Sequence, residues 1–383
     1  MHPSSVRILF LADSHLGFDL PVHPRVDRRR RGHDFLANHE RALTPALAGE
    51  VDLVVHGGDI FHRSRVPPSL VYQAFRPLVE VADSGVPVFV VPGNHERSRI
   101  PHARFASHPN LHIFHRPMTV AVQIRQVRVA VAGFPYVRRG IREGFPRVLE
   151  ETGWRREDAD LRLLCLHHCV EGATVGPSDY TFRESADVIR CTDLPEDFAA
   201  ILSGHIHRHQ ILRSDLEGRP LPTPVIYPGS IERTAFAEMD EEKGFVLMDV
   251  EADSAGGHLV HQIFRRLPAR PMLMRDLRPD AGPSTDWNRD ELETRLAALV
   301  STAPRDAVLQ VRVHGGVPQE IRGAFSAPRL RTLFPPQMNL QLLLVEERNL
   351  PRRRGSEWRP AAGEDPKVGA AGDHLQLTWN TFV

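Results

Sequence analysis

Cysteine is scarce in this 383-residue sequence, and its scarcity excludes a small protein held together by disulfides. The three cysteines, Cys165, Cys169 and Cys191, are an odd number in a long chain, so we expect reduced thiols that pack as small buried hydrophobic side chains. A metal site that includes Cys165 and Cys169 is the less favoured alternative. Lysine is scarcer still: Lys243 and Lys367 are the only two, so arginine carries nearly all of the positive charge.

Net charge and long apolar runs are absent as well. Arginine plus lysine and aspartate plus glutamate both number 48, which excludes a general attraction of the whole chain to nucleic acid, although a local basic face can coexist with an acidic one. No apolar run reaches the roughly 18 residues of a membrane-spanning helix. The sequence starts with a predicted strand instead of a signal peptide, and 41% of its residues are hydrophobic, so we expect a cytoplasmic globular protein without a membrane anchor.

The sequence does contain five short segments in which potential metal ligands directly follow an apolar run. Apolar runs of this length that are bounded by Gly, Pro or Asp predict buried strands. Ligands at the carboxyl ends of such strands meet at one edge of the sheet, where open α/β sheets place their binding sites. The five segments are Asp13-Ser14-His15, His56-Gly57-Gly58-Asp59, Gly93-Asn94-His95-Glu96, His167-His168 and Gly204-His205-Ile206-His207. A lone pair of loop histidines would be a weak signal, but the five together predict one site.

The chemistry of these segments favours two transition-metal ions. Carboxylate, amide and imidazole ligands suit manganese, iron or zinc better than calcium. Seven side chains are too many for one tetrahedral ion and suit two ions that share one carboxylate. Two metals roughly 3.5–4 Å apart clamp the attacking and leaving oxygens of a displacement at phosphorus and lower the pKa of a bound water toward neutrality. The predicted ligands are Asp13, His15, Asp59, Asn94, His167, His205 and His207.

Between these segments the apolar pattern alternates between strand and helix. Helices are predicted at residues 33–47, 70–82 and 140–151, and Pro77 is expected to kink or split the second. This alternation predicts strand–helix–strand units, and the pattern changes to short β-type runs within residues 110–135.

Together, these segments resemble the calcineurin-like metallophosphoesterases over roughly residues 5–250. The blocks at residues 59–64, 227–233 and 242–245 narrow the resemblance to the SbcD-type DNA repair nucleases, bacterial relatives of the meiotic-recombination nuclease. The resemblance implies an α/β fold of four α-β-β-α layers with two mixed sheets. It also implies manganese-dependent exonuclease or endonuclease cleavage of DNA, an SbcC-type ATPase as partner, and scope for a homodimer.

The resemblance further implies a role for each residue of the site. His95 would act near the leaving oxygen as a proton donor or charge stabiliser, and His62 would lie beside the substrate phosphate. The family often has glutamine where His168 stands; because a strand alternates faces, only one of the pair can point inward, and we assign His167 as the ligand. In the implied ligand set, Asp13, His15 and His207 hold the first ion, Asn94, His167 and His205 hold the second, and Asp59 bridges them.

The sequence also predicts three segments in series. Residues 1–267 would form the nuclease domain, and a proline-rich boundary precedes a small α+β module at residues 268–345, which contains a predicted helix at 289–300 and a strand at 306–313. By resemblance, this module would be a capping, DNA-binding domain. Residues 346–383 read as a flexible tail whose apolar end would either bind a partner or pack on the chain itself.

Two questions stay open at this point. The arginine-rich residues 22–32 form either a solvated surface loop or a phosphate-binding rim, and the candidate DNA-binding residues are Arg25, Arg28, Arg29, Arg138 and Arg139. The alternative function is a metallophosphoesterase acting on a small substrate such as a cyclic nucleotide or phosphomonoester, because the same metal pair hydrolyses any accessible phosphoester. A scaffold with a decayed site is disfavoured, since no ligand position is replaced.

Overall fold

The computed structural model describes residues 4–19, 28–96, 108–280, 286–321, 330 and 332–345. The described residues form two compact units: residues 28–29 group with those from 270 onward, and the rest form the first unit. The predicted tail and Arg25 lie outside the described residues, and the functional labels given to the segments stay predictions. Within the described part of the chain, no helix combines the length and apolar character needed to cross a membrane.

The described residues of the first unit form two six-stranded mixed sheets, two two-stranded sheets and three α-helices. The strands are β1 (Ser5–Leu11), β2 (Leu53–His56), β3 (Val88–Val90), β4 (Leu111–Ile113), β5 (Met118–Ile124), β6 (Val127–Gly133), β7 (Leu161–Leu166), β8 (Cys169–Val170), β9 (Thr174–Val175), β10 (Tyr180–Thr181), β11 (Val188–Ile189), β12 (Ala200–Ser203), β13 (Gln210–Ser214), β14 (Pro220–Tyr227), β15 (Gly244–Glu251) and β16 (His258–Arg266). The first six-stranded sheet has the strand order β16-β15-β1-β2-β3-β4, and the second has the order β13-β14-β12-β7-β6-β5. Strands β1 to β4 run parallel, as do β6, β7, β12 and β14, while β5, β13, β15 and β16 pair antiparallel.

The layers follow from strands that are buried on both faces. In β1, Val6, Ile8 and Phe10 pack toward the second sheet, whereas Leu9 and Leu11 pack toward the helices α1 (Arg31–Leu47) and α2 (Pro68–Asp83). Such strands read as continuous apolar runs because both faces are covered. The helix α3 (Ile141–Glu151) packs on the outer face of the second sheet. The predicted four-layer α-β-β-α sandwich of two mixed sheets is therefore confirmed.

Pro77 does not split α2, which corrects one of the two outcomes that the sequence predicted, a kink or a split. The helix runs unbroken through 16 residues with Pro77 inside it. Its apolar face, which includes Leu70, Phe75, Leu78 and Val81, is buried against the first sheet. Each of these side chains contributes about 1.5–3 kcal/mol when buried, which together exceeds the roughly 3 kcal/mol cost of a proline in a helix interior. Packing of the whole face thus outweighs the local backbone penalty.

The second unit contains one small parallel sheet with a crossover helix. Its strands are β17 (Met272–Leu277), β18 (Val308–His314) and β19 (Asn339–Val345), in that order. The helix α4 (Arg289–Ser301) connects β17 to β18 and begins where the Asn288 side chain accepts a hydrogen bond from the Glu291 backbone N–H at 2.9 Å. The predicted helix at 289–300 and the strand near 306–313 are thus present.

Candidate metal centre

The five ligand-bearing segments come together where parallel strands end. Three of them leave β1, β2 and β3 of the first sheet, and two leave β7 and β12 of the second. The sequence predicted one edge of one sheet; that expectation was wrong, because the edges of two facing sheets contribute. Both sets of strands are parallel, so their carboxyl ends open toward the same region between the sheets.

The first cluster contains Asp13, His15 and His207. The Nε2 atoms of His15 and His207 are 2.9 Å apart, and Oδ1 of Asp13 lies 3.9 Å from each. The Asp13 carboxylate is fully buried and accepts a hydrogen bond from the His205 backbone N–H at 3.0 Å. This bond joins the loops that follow β1 and β12.

The second cluster forms around Asn94. Oδ1 of Asn94 lies 3.1 Å from Nε2 of His167 and 3.1 Å from Nδ1 of His205. Oδ2 of Asp59 lies 3.4 Å from the same His167 Nε2. Asp59 also shares a potential metal-binding group with Asp13 and His167, whose ligand atoms lie within 4.8 Å of one another. Asp59 therefore stands between the two clusters.

The donor set fits divalent cations. The Nδ1 of His167 lies 2.7 Å from the Gly57 carbonyl oxygen, to which it donates. In the neutral imidazole this leaves a lone pair on Nε2, which faces oxygens of Asn94 and Asp59. The same holds for His207, whose Nδ1 lies 2.9 Å from Oε1 of Glu238. Lone pairs that point at each other repel unless a proton or a cation lies between them. These clusters of His and Asp are therefore consistent with a dinuclear metal site.

The backbone at the site adopts conformations that ordinary residues avoid. Asp13, His15, Asp59 and His205 have φ angles of 51°, 44°, 52° and 80°, which lie in the left-handed region. Strained residues of this kind persist where the surrounding structure over-determines them, and they concentrate at functional sites. All four belong to the predicted ligand set.

Glycine is required where the ligand loops approach each other. A Cβ on Gly93 would lie 2.2 Å from Oδ1 of Asp59, and one on Gly204 would lie 2.3 Å from the Gly57 carbonyl oxygen. Both distances are far below contact distance. The Gly-Asn and Gly-His pairs of the sequence therefore serve close approach of the ligands.

Glu96 links the ligand-bearing loops that follow β2 and β3. Its buried carboxylate accepts hydrogen bonds from the backbone N–H groups of Asp59, Phe61 and Gly93 at 2.9, 2.9 and 2.7 Å. Burial and the nearby Asp59 charge raise the pKa of Glu96 to about 8. The sequence marked Glu96 only as part of a motif, and nothing in the local pattern signalled this role.

A second buried network supports the loop that carries Asp13 and His15. The Gly58 N–H donates to Nδ1 of His56 at 3.2 Å, so Nε2 of His56 carries the hydrogen and donates to the Ser14 hydroxyl at 2.8 Å. The Ser14 hydroxyl in turn donates to Nδ1 of His39 at 3.0 Å, and Nε2 of His39 donates to the Ala74 carbonyl at 3.0 Å. Every polar atom in this neutral chain has a partner, which fixes the loop rigidly.

His95 and His62 lie beside the first cluster. The ring nitrogens of His15, His62 and His95 form a third group within 4.8 Å of one another. Nδ1 of His95 lies 2.5 Å from the His62 carbonyl oxygen, which directs its Nε2 toward Asp59 at 3.8 Å. The His95 side chain is 32% exposed, so it can meet a molecule that enters from solvent.

His168 and Tyr136 complete the wall near the second cluster. His168 is buried, and its Nε2 accepts a hydrogen bond from the Val137 N–H at 3.1 Å, whereas the neighbouring His167 faces Asp59 and Asn94. The Tyr136 ring packs 4.8 Å from the His168 ring and 5.8 Å from that of His205. Tyr136 was not among the predicted site residues, because a tyrosine after a strand carries no distinguishing sequence signal.

The predicted arginines are divided between the two units. Arg138 and Arg139 are exposed and follow Tyr136 by two and three residues. Within the second unit, Arg28 donates to the Phe334 carbonyl at 3.2 Å, and Arg29 is exposed. Their assignment to DNA stays a prediction.

The loop after β14 supplies two further charged groups near His207. Glu238 contacts both His207 and Lys243. Its Oε1 lies 2.9 Å from Nδ1 of His207, and its Oε2 lies 2.8 Å from Nζ of Lys243. Although burial favours the protonated acid, the neighbouring His207 and Lys243 hold the pKa of Glu238 well below its usual range. Lys243 belongs to the block at residues 242–245 that carries the family resemblance, but the sequence around it signals no role for the side chain.

A family comparison matches residues 6–209 to the model described as calcineurin-like phosphoesterase. This range covers more than half of the chain and contains all five ligand-bearing segments. The family match therefore includes every residue of the two clusters described above.

Comparisons with individual proteins give distant relatives. A DNA double-strand break repair protein Mre11 from Haloferax volcanii is 28% identical over 253 residues, covering 65% of this chain and 50% of that protein. A protein of the same name from Thermoplasma acidophilum is 24% identical over 349 residues, covering 84% and 83%. The chain spans about half the length of the Haloferax relative. Among solved structures, a dimetal phosphatase from Danio rerio matches with a TM-score of 0.39 and 13% identity, covering 67% of this chain and 98% of that one.

Proposed function

Because the chain belongs to the calcineurin-like phosphoesterases and is a distant relative of Mre11, we propose that it is a metal-dependent phosphodiesterase that cleaves DNA in repair. The observation that carries the hydrolase part is the position of Asp59 between two clusters of imidazole and carboxylate donors. The DNA part rests on the names of the relatives, of which the Haloferax protein is matched over half its length.

In this proposal the seven predicted ligands hold two divalent ions, with manganese as the favoured metal. Asp13, His15 and His207 would hold the first ion, and Asn94, His167 and His205 would hold the second. Asp59 would bridge them, because its carboxylate lies within 4.8 Å of ligand atoms of Asp13 in the first cluster and His167 in the second. Two such ions, when bound, acidify a water molecule and offset the charge that develops on the phosphate oxygens during in-line displacement.

The chain's own residues then orient and protonate the substrate. The bond from Nδ1 of His95 to the His62 carbonyl fixes the ring, so the imidazolium form of His95 would give the proton on its Nε2 to the leaving oxygen. Its partial exposure supports contact with a phosphodiester entering from solvent. His62, 5.8 Å from His95 between ring centroids, would contact a non-bridging phosphate oxygen on the same side.

The alternative is a phosphoesterase for a small substrate, because the metal ligands alone do not select a polymer. Selection of DNA would come from surfaces beyond the ligands, for which Arg138 and Arg139 and the second unit are candidates. We further propose an SbcC-type ATPase as a partner, by analogy with the nuclease branch of the family. A homodimer is compatible with this arrangement.

The test is a substrate panel with manganese as the added metal. Linear duplex DNA, bis-p-nitrophenyl phosphate, p-nitrophenyl phosphate and a cyclic nucleotide are compared at equal enzyme concentration, with Asp59→Asn as the inactive control. Cleavage of DNA and of the diester, both lost in the control, is the expected result. Fast hydrolysis of the cyclic nucleotide or monoester with intact DNA would favour the alternative. No hydrolysis of any substrate would overturn the enzyme assignment.

A further inference from the structure

A closed cycle of polar contacts next to the first cluster connects Lys243, Glu238 and His207. Nδ1 of His207 lies 2.9 Å from Oε1 of Glu238, and Oε2 of Glu238 lies 2.8 Å from Nζ of Lys243. Nζ of Lys243 returns to the His207 carbonyl oxygen at 2.8 Å. One lysine therefore contacts both the backbone of the histidine and the carboxylate that orients its ring.

Lys243 is the buried member of this group, and the hydrogen-bonding capacity of its ammonium group is used fully. The Lys243 side chain has no exposed surface, and a buried ammonium is costly unless each of its three donors is satisfied. Its three partners are the His207 carbonyl, Glu238 and, at 3.4 Å, Glu241. Glu238 is also fixed by Thr234, whose hydroxyl donates to Oε1 at 2.7 Å and whose N–H donates to Oε2 at 3.2 Å. The carboxylate therefore has little freedom to move.

This geometry dictates the state of the His207 ring. A carboxylate at Nδ1 keeps the hydrogen on that atom, so Nε2 presents its lone pair toward His15, 2.9 Å away. A charged acceptor at the far nitrogen also raises the basicity of an imidazole ligand. His167 differs, because its Nδ1 donates to the uncharged carbonyl of Gly57. His207 of the first cluster therefore has a carboxylate at its far nitrogen, whereas His167 of the second cluster has an uncharged carbonyl there.

We propose that Glu238 and Lys243 are positioning residues that make the first cluster the tighter of the two metal sites. Glu238 orients His207 and strengthens it as a ligand, while Lys243 holds the Glu238 carboxylate in place. This inference rests on the proposed function, since it requires that both clusters bind ions.

The experiment measures manganese binding to metal-free protein by electron paramagnetic resonance titration, with manganese as the only added ligand. Glu238→Gln keeps the shape of the side chain but removes its charge, and it should weaken the tighter site about 10–100-fold while changing the weaker site less. Glu241→Gln is the matched control, because Glu241 contacts Lys243 but not His207. It should leave both manganese affinities within about threefold of the wild type, well below the change expected for a lost outer partner of a ligand.

A double variant separates positioning from folding. Glu238→Gln leaves Lys243 buried without its strongest partner, so the variant should also melt at a lower temperature. Glu238→Gln combined with Lys243→Met removes that unpaired charge and should restore the melting temperature but not the manganese affinity. Recovery of affinity together with melting temperature would assign a purely structural role and overturn the inference.

Failure of the inference and failure of the proposed function give different results. Unchanged affinities in Glu238→Gln, with a wild type that binds two ions and cleaves DNA, would overturn only the positioning role. A wild type that binds no manganese would overturn the proposed function and this inference together.

Discussion

Nε2 of His167 lies 3.4 Å from Oδ2 of Asp59, although the two residues follow strands of different sheets. His167 follows β7 in the second sheet, and Asp59 follows β2 in the first. The site therefore depends on the register with which the two sheets pack, and this dependence makes its ligands sensitive to small displacements.

Replacing Asp59 by asparagine should abolish hydrolysis and reduce the metal content below two ions per chain. An amide has the same shape but cannot compensate the charge of two cations at once. Metal content by elemental analysis, alongside diester hydrolysis, measures both effects. Asp52→Asn, just before the start of the same strand β2, is the matched control and should retain two ions. Two bound ions with full turnover in Asp59→Asn would rule out the bridging role.

His95→Ala should keep both metals but lower turnover by about 10²–10⁴, the range for loss of a general acid. The loss should be much smaller for a p-nitrophenolate leaving group, which needs no proton, than for a deoxyribose oxygen. Rates on DNA and on bis-p-nitrophenyl phosphate are compared, with His258→Ala, at an exposed histidine, as control. Loss of metal from His95→Ala would instead make His95 a ligand.

Gly93→Ala should disturb the ligands, because its Cβ would lie 2.2 Å from Oδ1 of Asp59. We expect weakened metal binding and lost hydrolysis in a protein that still folds. Gly144→Ala in α3 is the control, since a Cβ there meets no atom within 4 Å, and it should stabilise the fold by about 0.5–1 kcal/mol. Manganese titration and urea denaturation of both variants distinguish the two effects. Normal metal affinity in Gly93→Ala would show that the Asp59 loop can move aside.

Arg138→Ala combined with Arg139→Ala should weaken DNA binding and reduce the slope of log affinity against log salt by about 1–2, because each phosphate contact releases about one counterion. Hydrolysis of the small diester should be unchanged. Arg147→Ala, at an exposed position on α3, serves as the control. Fluorescence anisotropy with labelled duplex DNA at several salt concentrations gives the slope. An unchanged slope would remove both arginines from the DNA interface.

The strands and the ligand segments could be predicted because they are local. Strands such as β1 and β7 are short apolar runs that are buried on both faces, and each ligand follows its run directly. Which sheet each strand joins depends on contacts between residues far apart in sequence, so the local pattern predicted one sheet edge for all five segments, and the two-sheet sandwich came from the family resemblance. The continuity of α2 through Pro77 was missed for a related reason, since it depends on the packing of a whole helix face.

The supporting residues could not be predicted from local pattern. Glu96, Glu238 and Lys243 are charged residues in loops, which usually lie in solvent. Their burial follows from backbone N–H groups and a ligand side chain that need partners once the loops have met. Such a requirement exists only in the assembled structure.

The burial of Lys243 has a practical consequence for chemical modification. Amine-reactive reagents need an accessible ε-amino group, and the Lys243 side chain has no exposed surface. Lys367 is the only other lysine in the sequence. A dye or an immobilising linker coupled through lysine side chains should therefore not react at Lys243, so the metal centre stays chemically unmodified.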